Sequence, residues 1–468
     1  MNLQVESERL ATPQETIDKN IVVARTDGLG ARLLAIVNGI SLASILGASF
    51  KFAWQTRGNT AAQFHAIAAA KDMFAAGFLE KHFLASFDDA GYSRMSLSKQ
   101  TLKQLREQLA LEERRGWFIS GLEDIDSILL KGGALSQAEA FSLIKFHPDA
   151  QKYIDFAYQL TLPDNPAAIH LRAGDLIYGP HRHRGEFTNK AISVPVAKRI
   201  IEKLQKDGYS IILYGQDSET ISYLQKEYSV FLADDFELPG DTADHQKALF
   251  EIALMSRCQL IVAGDSRFAE IASKMASVKI HEPRKFFRGR EQSSIIIDDL
   301  NVNAEKYTSL QTAFAYWSAF YWGREKLDSE SIDHVLSKAV SFDPQNGFYA
   351  MNRLFSAVEN MAYSRCESIL ESAFRNASLN GSILNDYVIK AAFIRRVSNK
   401  KRYYFQPKFN FVFSVKGDYP YIKLFSAILR VQIMQDADGA AIDLACALQH
   451  GVDKDIHRKL ELEMGVTS

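Results

Sequence analysis

The chain is poor in cysteine. It has three in 468 residues, Cys258, Cys366 and Cys446, too few for a disulfide framework and too scattered for a CxxC metal pair. That usage suits a reducing compartment. An excess of charge is also missing. Lys plus Arg is 55 and Asp plus Glu is 56, a net charge of −1, so no global basic field would condense on nucleic acid. The first twenty residues are polar and carry Glu6, Glu8, Glu15 and Asp18, without the basic start and apolar core of a secretory signal. Long hydrophobic runs are absent too. Leu33–Phe52 is broken by Asn38, Ser41, Ser44 and Gly47, short of the ~20 apolar residues of a membrane span. These absences lead to the expectation of a soluble, cytoplasmic protein. Hydrophobic residues at 47% and charged residues at 24% exclude a collagenous or largely disordered chain. At roughly 150 residues per domain, the length suggests about three domains.

The pattern along the chain supports that number. Ile21–Arg25 is a β-branched run that ends in the turn Thr26-Asp27-Gly28-Leu29-Gly30. A helix from about Ala31 to Leu46 follows, stopped by Gly47, and Ala48–Trp54 reads as the next strand. Residues 61–160 read as mostly helical, with a strand near Trp117–Ser120. After the linker Leu162–Ala167, strands at Ile169–Arg172, Ser210–Tyr214, Val230–Ala233, Leu260–Ala263 and Val278–His281 alternate with helices at Val194–Lys206, Ser218–Glu227, Thr242–Ser256 and Ser266–Met275. Such alternation builds a parallel sheet covered on both faces, with ligands bound outside the carboxyl ends of its strands. From about residue 304 only helices are expected. The string Phe342-Asp343-Pro344-Gln345-Asn346 resembles the closing turn of a tetratricopeptide repeat, although no clean repeat period is present. The expected domains are a polar tail at 1–19, an α/β domain at 20–162, a nucleotide-binding α/β domain at 163–303 and a helical-repeat-like domain at 304–468.

Three strings carry chemistry. His170-Leu171-Arg172-Ala173-Gly174-Asp175 ends a strand and opens a loop. An arginine there offers a planar fork of donors to a diphosphate. Equally, His170 reads as a core histidine and Arg172 as an ion-pair partner of Asp175. Gly264-Asp265-Ser266-Arg267-Phe268 opens a helix, either as an anion site of free N–H groups and a hydroxyl or simply as an N-cap. Asp27-Gly28-Leu29-Gly30 has the look of a dinucleotide fingerprint but lacks the third glycine, and Phe50–Gln55 holds no ribose-binding acid, which disfavours a nicotinamide oxidoreductase.

Taken together, these strings resemble the GDP-fucose fucosyltransferase superfamily of GT-B fold, which includes the α1,2-, α1,6- and protein O-fucosyltransferases. Gly28-Leu29-Gly30 matches its N-terminal strand–helix element. His170-Leu171-Arg172-Ala173-Gly174-Asp175 matches its central motif, with Ala173 in place of a second arginine. Glu251…Leu254-Met255-Ser256…Cys258 followed by Asp265-Ser266-Arg267-Phe268-Ala269 matches its later motif, with Glu251 in place of an aspartate. The likeness covers about residues 20–300. It implies two Rossmann-type domains in which Arg172 holds the β-phosphate of a leaving GDP, His170 and Glu251 read the nucleoside, and Ser266 and neighbouring amides hold phosphate, with Gly28, Gly30 and Asp265 also among the donor-binding residues. Arg267 would restore the charge lost with Ala173. The implied reaction is inverting transfer of fucose to a glycan acceptor, lipid-linked or free. Glu186, in the loop after the central motif, is the candidate base, with a solvated ion pair to Arg182 or Arg184 as the plainer reading.

No metal or other cofactor is expected. The Asp-x-Asp strings Asp124–Asp126, Asp436–Asp438 and Asp453–Asp455 fall in helical or tail segments and read as surface charge, and His181 and His183 have no evident third ligand. Basic-aromatic stretches at Arg284–Arg290 and Arg395–Phe405 suit a solvated face or a peripheral membrane contact. No nucleic-acid motif accompanies them. The helical tail is expected to meet the acceptor or a protein partner. The alternative reading is a catalytically degenerate sugar-nucleotide-binding scaffold.

Overall fold

A computed structural model describes residues 17–56, 67–97, 100–122, 125, 128, 135–238, 241–379, 382–384, 412–415 and 418–466. Asp124 and Asp126, and the stretch Arg395–Phe405, lie outside the described residues. The fold is mixed α/β with two five-stranded parallel sheets. One has the order β3-β2-β1-β5-β4, with β1 Asn20–Arg25, β2 Ser49–Trp54, β3 Phe83–Leu84, β4 Ser93–Arg94 and β5 Gly116–Ile119. The other has the order β10-β9-β6-β7-β8, with β6 Pro166–Leu171, β7 Ser210–Gly215, β8 Phe231–Leu232, β9 Leu260–Ala263 and β10 Lys279–His281. The pairings between these strands are parallel, which requires crossovers, and the helices between the strands supply them.

By contacts the chain falls into two compact units, residues 1–172 with 201–282, and residues 173–200 with 283–468. The first unit holds both sheets. Its Leu29–Leu46 helix is apolar enough for its length to suit a membrane, yet 94% of it is buried, so it is the core helix of this unit. It ends where Gly47 adopts φ 72°, a left-handed cap that costs a glycine little. Phe52, Trp117, Tyr214 and Phe250 are among the largest side chains buried in the shared core.

The second unit is helical. Gly289–Asn303, Ser309–Gly323, Ser329–Phe342, Gly347–Glu359 and Tyr363–Leu379 each pack on the next. Segment 173–200, which the sequence groups with the nucleotide-binding domain, clusters here. Trp317 Nε1 donates to Thr188 Oγ1 at 2.7 Å, and the hydroxyls of Tyr178 and Thr308 lie 2.8 Å apart. Lys198 is buried, with its ammonium 2.5 Å from Asp299 and 3.1 Å from the Tyr307 hydroxyl. Burying an ammonium group is costly unless it is paired and hydrogen-bonded.

Candidate functional site

Parallel register sets the frame of the site. His170 on β6 pairs with Tyr214 on β7 and with Ala263 on β9, so all three stand at one level near the carboxyl end of the second sheet. Arg172 follows directly from β6, and Gly264-Asp265-Ser266 follow from β9. These are the places where a doubly wound sheet meets its ligands.

Ser266 occupies the N-cap position of the Arg267–Ala276 helix but does not cap it. Its side chain is 2% exposed, and among the described residues its hydroxyl has no hydrogen-bond partner. Gly28 is the N-cap of Leu29–Leu46, which has no side-chain cap and no acid in its first turn. The two helix starts meet. A methyl on Gly30 would lie 2.7 Å from the Phe268 Cα and 2.8 Å from both the Phe268 nitrogen and the Arg267 carbonyl oxygen. Only glycine permits that approach. Open N–H groups and the positive ends of two helix dipoles therefore converge beside a buried hydroxyl, which is favourable ground for an anion. Phe268 also stacks on the ring of His170, with centroids 5.5 Å apart and 24° between planes. His170 is buried, as a core reading also expects.

The loop before the first helix is held by two arginines. Arg25 at the end of β1 grips both Asp27 oxygens at 2.9 and 2.5 Å and donates to the Ser120 carbonyl. Arg32, 3% exposed, donates to the carbonyls of Asp27 and Gln55 at 2.7 and 2.6 Å and lies over the Trp54 ring. Neither role was drawn from the sequence. A charged residue inside an otherwise apolar helical stretch, as Arg32 is, was the available signal.

The remaining candidates differ in their surroundings. Arg267 forms an ion pair with Glu270 on its own helix, with Asp265 and Asp27 in electrostatic reach, so its charge is already engaged by carboxylates. Glu251 sits with its side chain 22% exposed, and Lys247 is 4.0 Å away but closer to Asp234, at 2.6 Å. Burial pushes the Glu251 carboxyl up to about 7; Lys247 opposes this and Asp234 adds to it. Tyr214, within electrostatic reach of Glu251, and Cys258 beside that tyrosine are deeply buried, and burial pushes the Cys258 thiol up to about 12, which makes it a poor nucleophile. Glu186 belongs to the second unit, in the 3-10 turn Gly185–Lys190, and its side chain lies outside what is described. Nearby, His181 Nε2 is 3.9 Å from Asp175, and Arg182 is 3.7 Å from the buried Asp343.

Two Asp-x-Asp strings have structural roles. Asp436 accepts from the Gly439 nitrogen and pairs with Arg430 at 2.7 Å. Asp453 accepts from the nitrogens of Asp455 and Ile456 at the start of the last helix. Both are helix caps. Among the described residues no group of three His, Cys, Asp or Glu is placed to hold a metal ion.

No protein-family model matches the chain, and no curated protein matches it. Solved structures do. Fucosyltransferase NodZ from Bradyrhizobium is similar at 14% identity over 55% of this chain and 93% of that one, with a TM-score of 0.34. POFUT1 in complex with GDP-fucose is similar at 12% identity over 58% of this chain and 99% of that one, with a TM-score of 0.32. These neighbours are fucosyltransferases.

Proposed function

We propose that the protein is a glycosyltransferase of the fucosyltransferase type, with GDP-fucose as donor and a glycan as acceptor. The observation that carries this reading is the close approach of two uncapped helix starts at Gly30 and Phe268 beside the unpartnered hydroxyl of Ser266. A diphosphate suits that place, because its charge meets fixed N–H groups that need no reorganisation. Arg172, leaving β6 at the same sheet end, supplies a planar fork for the leaving phosphate. Glu251, ionised above about pH 7, accepts from the N–H groups of a guanine ring.

The reaction is inverting displacement. An acceptor oxygen attacks the anomeric carbon, the bond to the diphosphate oxygen breaks, and the departing electron pair is stabilised by Arg172 and the helix amides. Glu186 is the proposed acceptor of the hydroxyl proton. No metal is required, because cationic and amide groups neutralise the leaving group. The helical unit is proposed to meet the acceptor or a protein partner. A panel of nucleotide sugars tests the reading through the release of nucleoside diphosphate. Release from GDP-fucose above that from UDP- or ADP-sugars supports it, and release from none of them contradicts it.

A second reading, a non-catalytic sugar-nucleotide-binding scaffold, is favoured by one pairing. Arg267, which would replace the charge missing at Ala173, is engaged by Glu270. Nucleotide binding without any turnover would establish it.

A further inference from the structure

Two basic-aromatic strings that are distant in sequence share one end of the helical unit. The first, Arg284-Lys285-Phe286-Phe287-Arg288-Gly289-Arg290, precedes and opens the helix Gly289–Asn303. The second, Tyr321-Trp322-Gly323-Arg324-Glu325-Lys326, closes the helix Ser309–Gly323. The start of one helix packs on the end of the other. Ser293 Oγ donates to the Ala319 carbonyl at 2.9 Å, and a methyl on Gly289 would lie 3.1 Å from the Trp322 carbonyl oxygen. The Arg284 guanidinium lies over the Trp322 ring at 5.8 Å, that of Arg324 lies over Tyr321 at 5.7 Å, and the two rings meet edge to face at 4.8 Å. Arg284, Lys285, Arg288, Arg290, Arg324 and Lys326 are all exposed, and the four aromatics between them are partly buried.

We propose that this face docks on an anionic lipid bilayer. Glu291 in the first turn of the helix accepts from the Arg288 nitrogen at 2.6 Å, but the exposed side chains of Arg288 and Arg290 add positive charge at the positive end of that helix dipole. An anionic surface accounts for both features at once. Exposed cations meet headgroup charge, and half-buried Phe286, Phe287, Tyr321 and Trp322 present amphipathic rings at the depth of the interface. The proposal does not depend on the donor or the chemistry of the other unit.

Co-sedimentation of the full chain with vesicles tests it. Binding is expected to vesicles of mixed phosphatidylglycerol and phosphatidylcholine, not to phosphatidylcholine alone, and to weaken steeply with salt. Each cation near such a surface contributes about fivefold in affinity. The pair Arg324→Ala/Lys326→Ala is therefore expected to lose ~25-fold, and Lys285→Ala/Arg288→Ala as much. Far-ultraviolet circular dichroism checks that each pair is folded, and the two pairs stand in for each other if one is not. Equal binding to both vesicle types overturns the proposal. So does a response confined to one string, or competition by single-stranded RNA or heparin as effective as that by the lipid, which would mark a general polyanion surface.

Discussion

Gly30 and Phe268 meet backbone to backbone, close enough that a methyl on Gly30 would come within 2.7 Å of the Phe268 Cα. Gly28, two residues earlier, has nothing within 4 Å of such a methyl and has an ordinary φ of −66°. The two glycines should therefore separate. Gly30→Ala must push the helix starts apart and is expected to lose ~1–3 kcal/mol of stability together with nucleotide affinity. Gly28→Ala should keep its melting temperature. Thermal unfolding and nucleotide titration of both variants check this.

Arg172 is expected to be the most sensitive residue in turnover. Arg172→Ala removes a contact that strengthens as the diphosphate leaves, a loss of ~3–4 kcal/mol or several hundredfold in rate. Arg172→Lys should recover little, because an ammonium lacks the fork. Initial rates on a folded variant decide the matter, and near-normal rates would remove Arg172 from the chemistry.

Glu251 gives a pH dependence with a definite sign. Its carboxyl is raised from an ordinary value of 4.5 to about 7, so the folded state holds the proton more tightly than the unfolded chain. The stability linked to that proton is present below about pH 4.5 and is lost as pH rises through about 7. Glu251→Gln should thus gain on the wild type between pH 5 and pH 8, by on the order of 3 kcal/mol at most. Urea unfolding at the two pH values measures it. Guanine-nucleotide affinity should run the other way and rise toward pH 8 as the carboxylate forms. Equal curves for both proteins would contradict the burial of this carboxyl.

Ending the chain at residue 303 removes Thr308 and Trp317, the partners of Tyr178 and Thr188. The truncated protein is expected to expose segment 173–200 and to aggregate or bind a hydrophobic dye. Gel filtration reports the outcome. A monomeric, dye-negative product would show that the segment does not need those helices.

Much of the fold was legible where local periodicity and burial coincide. Val194–Lys206 and Leu260–Ala263 are found at the expected residues, because an amphipathic stripe and a short apolar run are local signals. The two-residue strands Phe83–Leu84 and Ser93–Arg94 were not legible, since two residues carry no period. Nor was the helix Gly289–Asn303, whose Ile295-Ile296-Ile297 run blurs the helical stripe. In the site, Ser266 and Gly30 were marked by turn chemistry, but their convergence joins residues more than two hundred positions apart. The raised pKa of Glu251 likewise comes from tertiary burial, which no spacing encodes. The link between segment 173–200 and the C-terminal helices rests on single contacts such as Trp317 to Thr188 and left no pattern in the chain.

The most direct test of the central claim is calorimetric titration of the metal-free protein with GDP-fucose, GDP and GMP at pH 8. Two helix starts and Arg172 that hold a diphosphate predict that GDP-fucose and GDP bind, while GMP, lacking the second phosphate, binds at least ~10-fold more weakly, a loss of about 1.4 kcal/mol. Absence of binding by GDP, or equal binding of GDP and GMP, would contradict it.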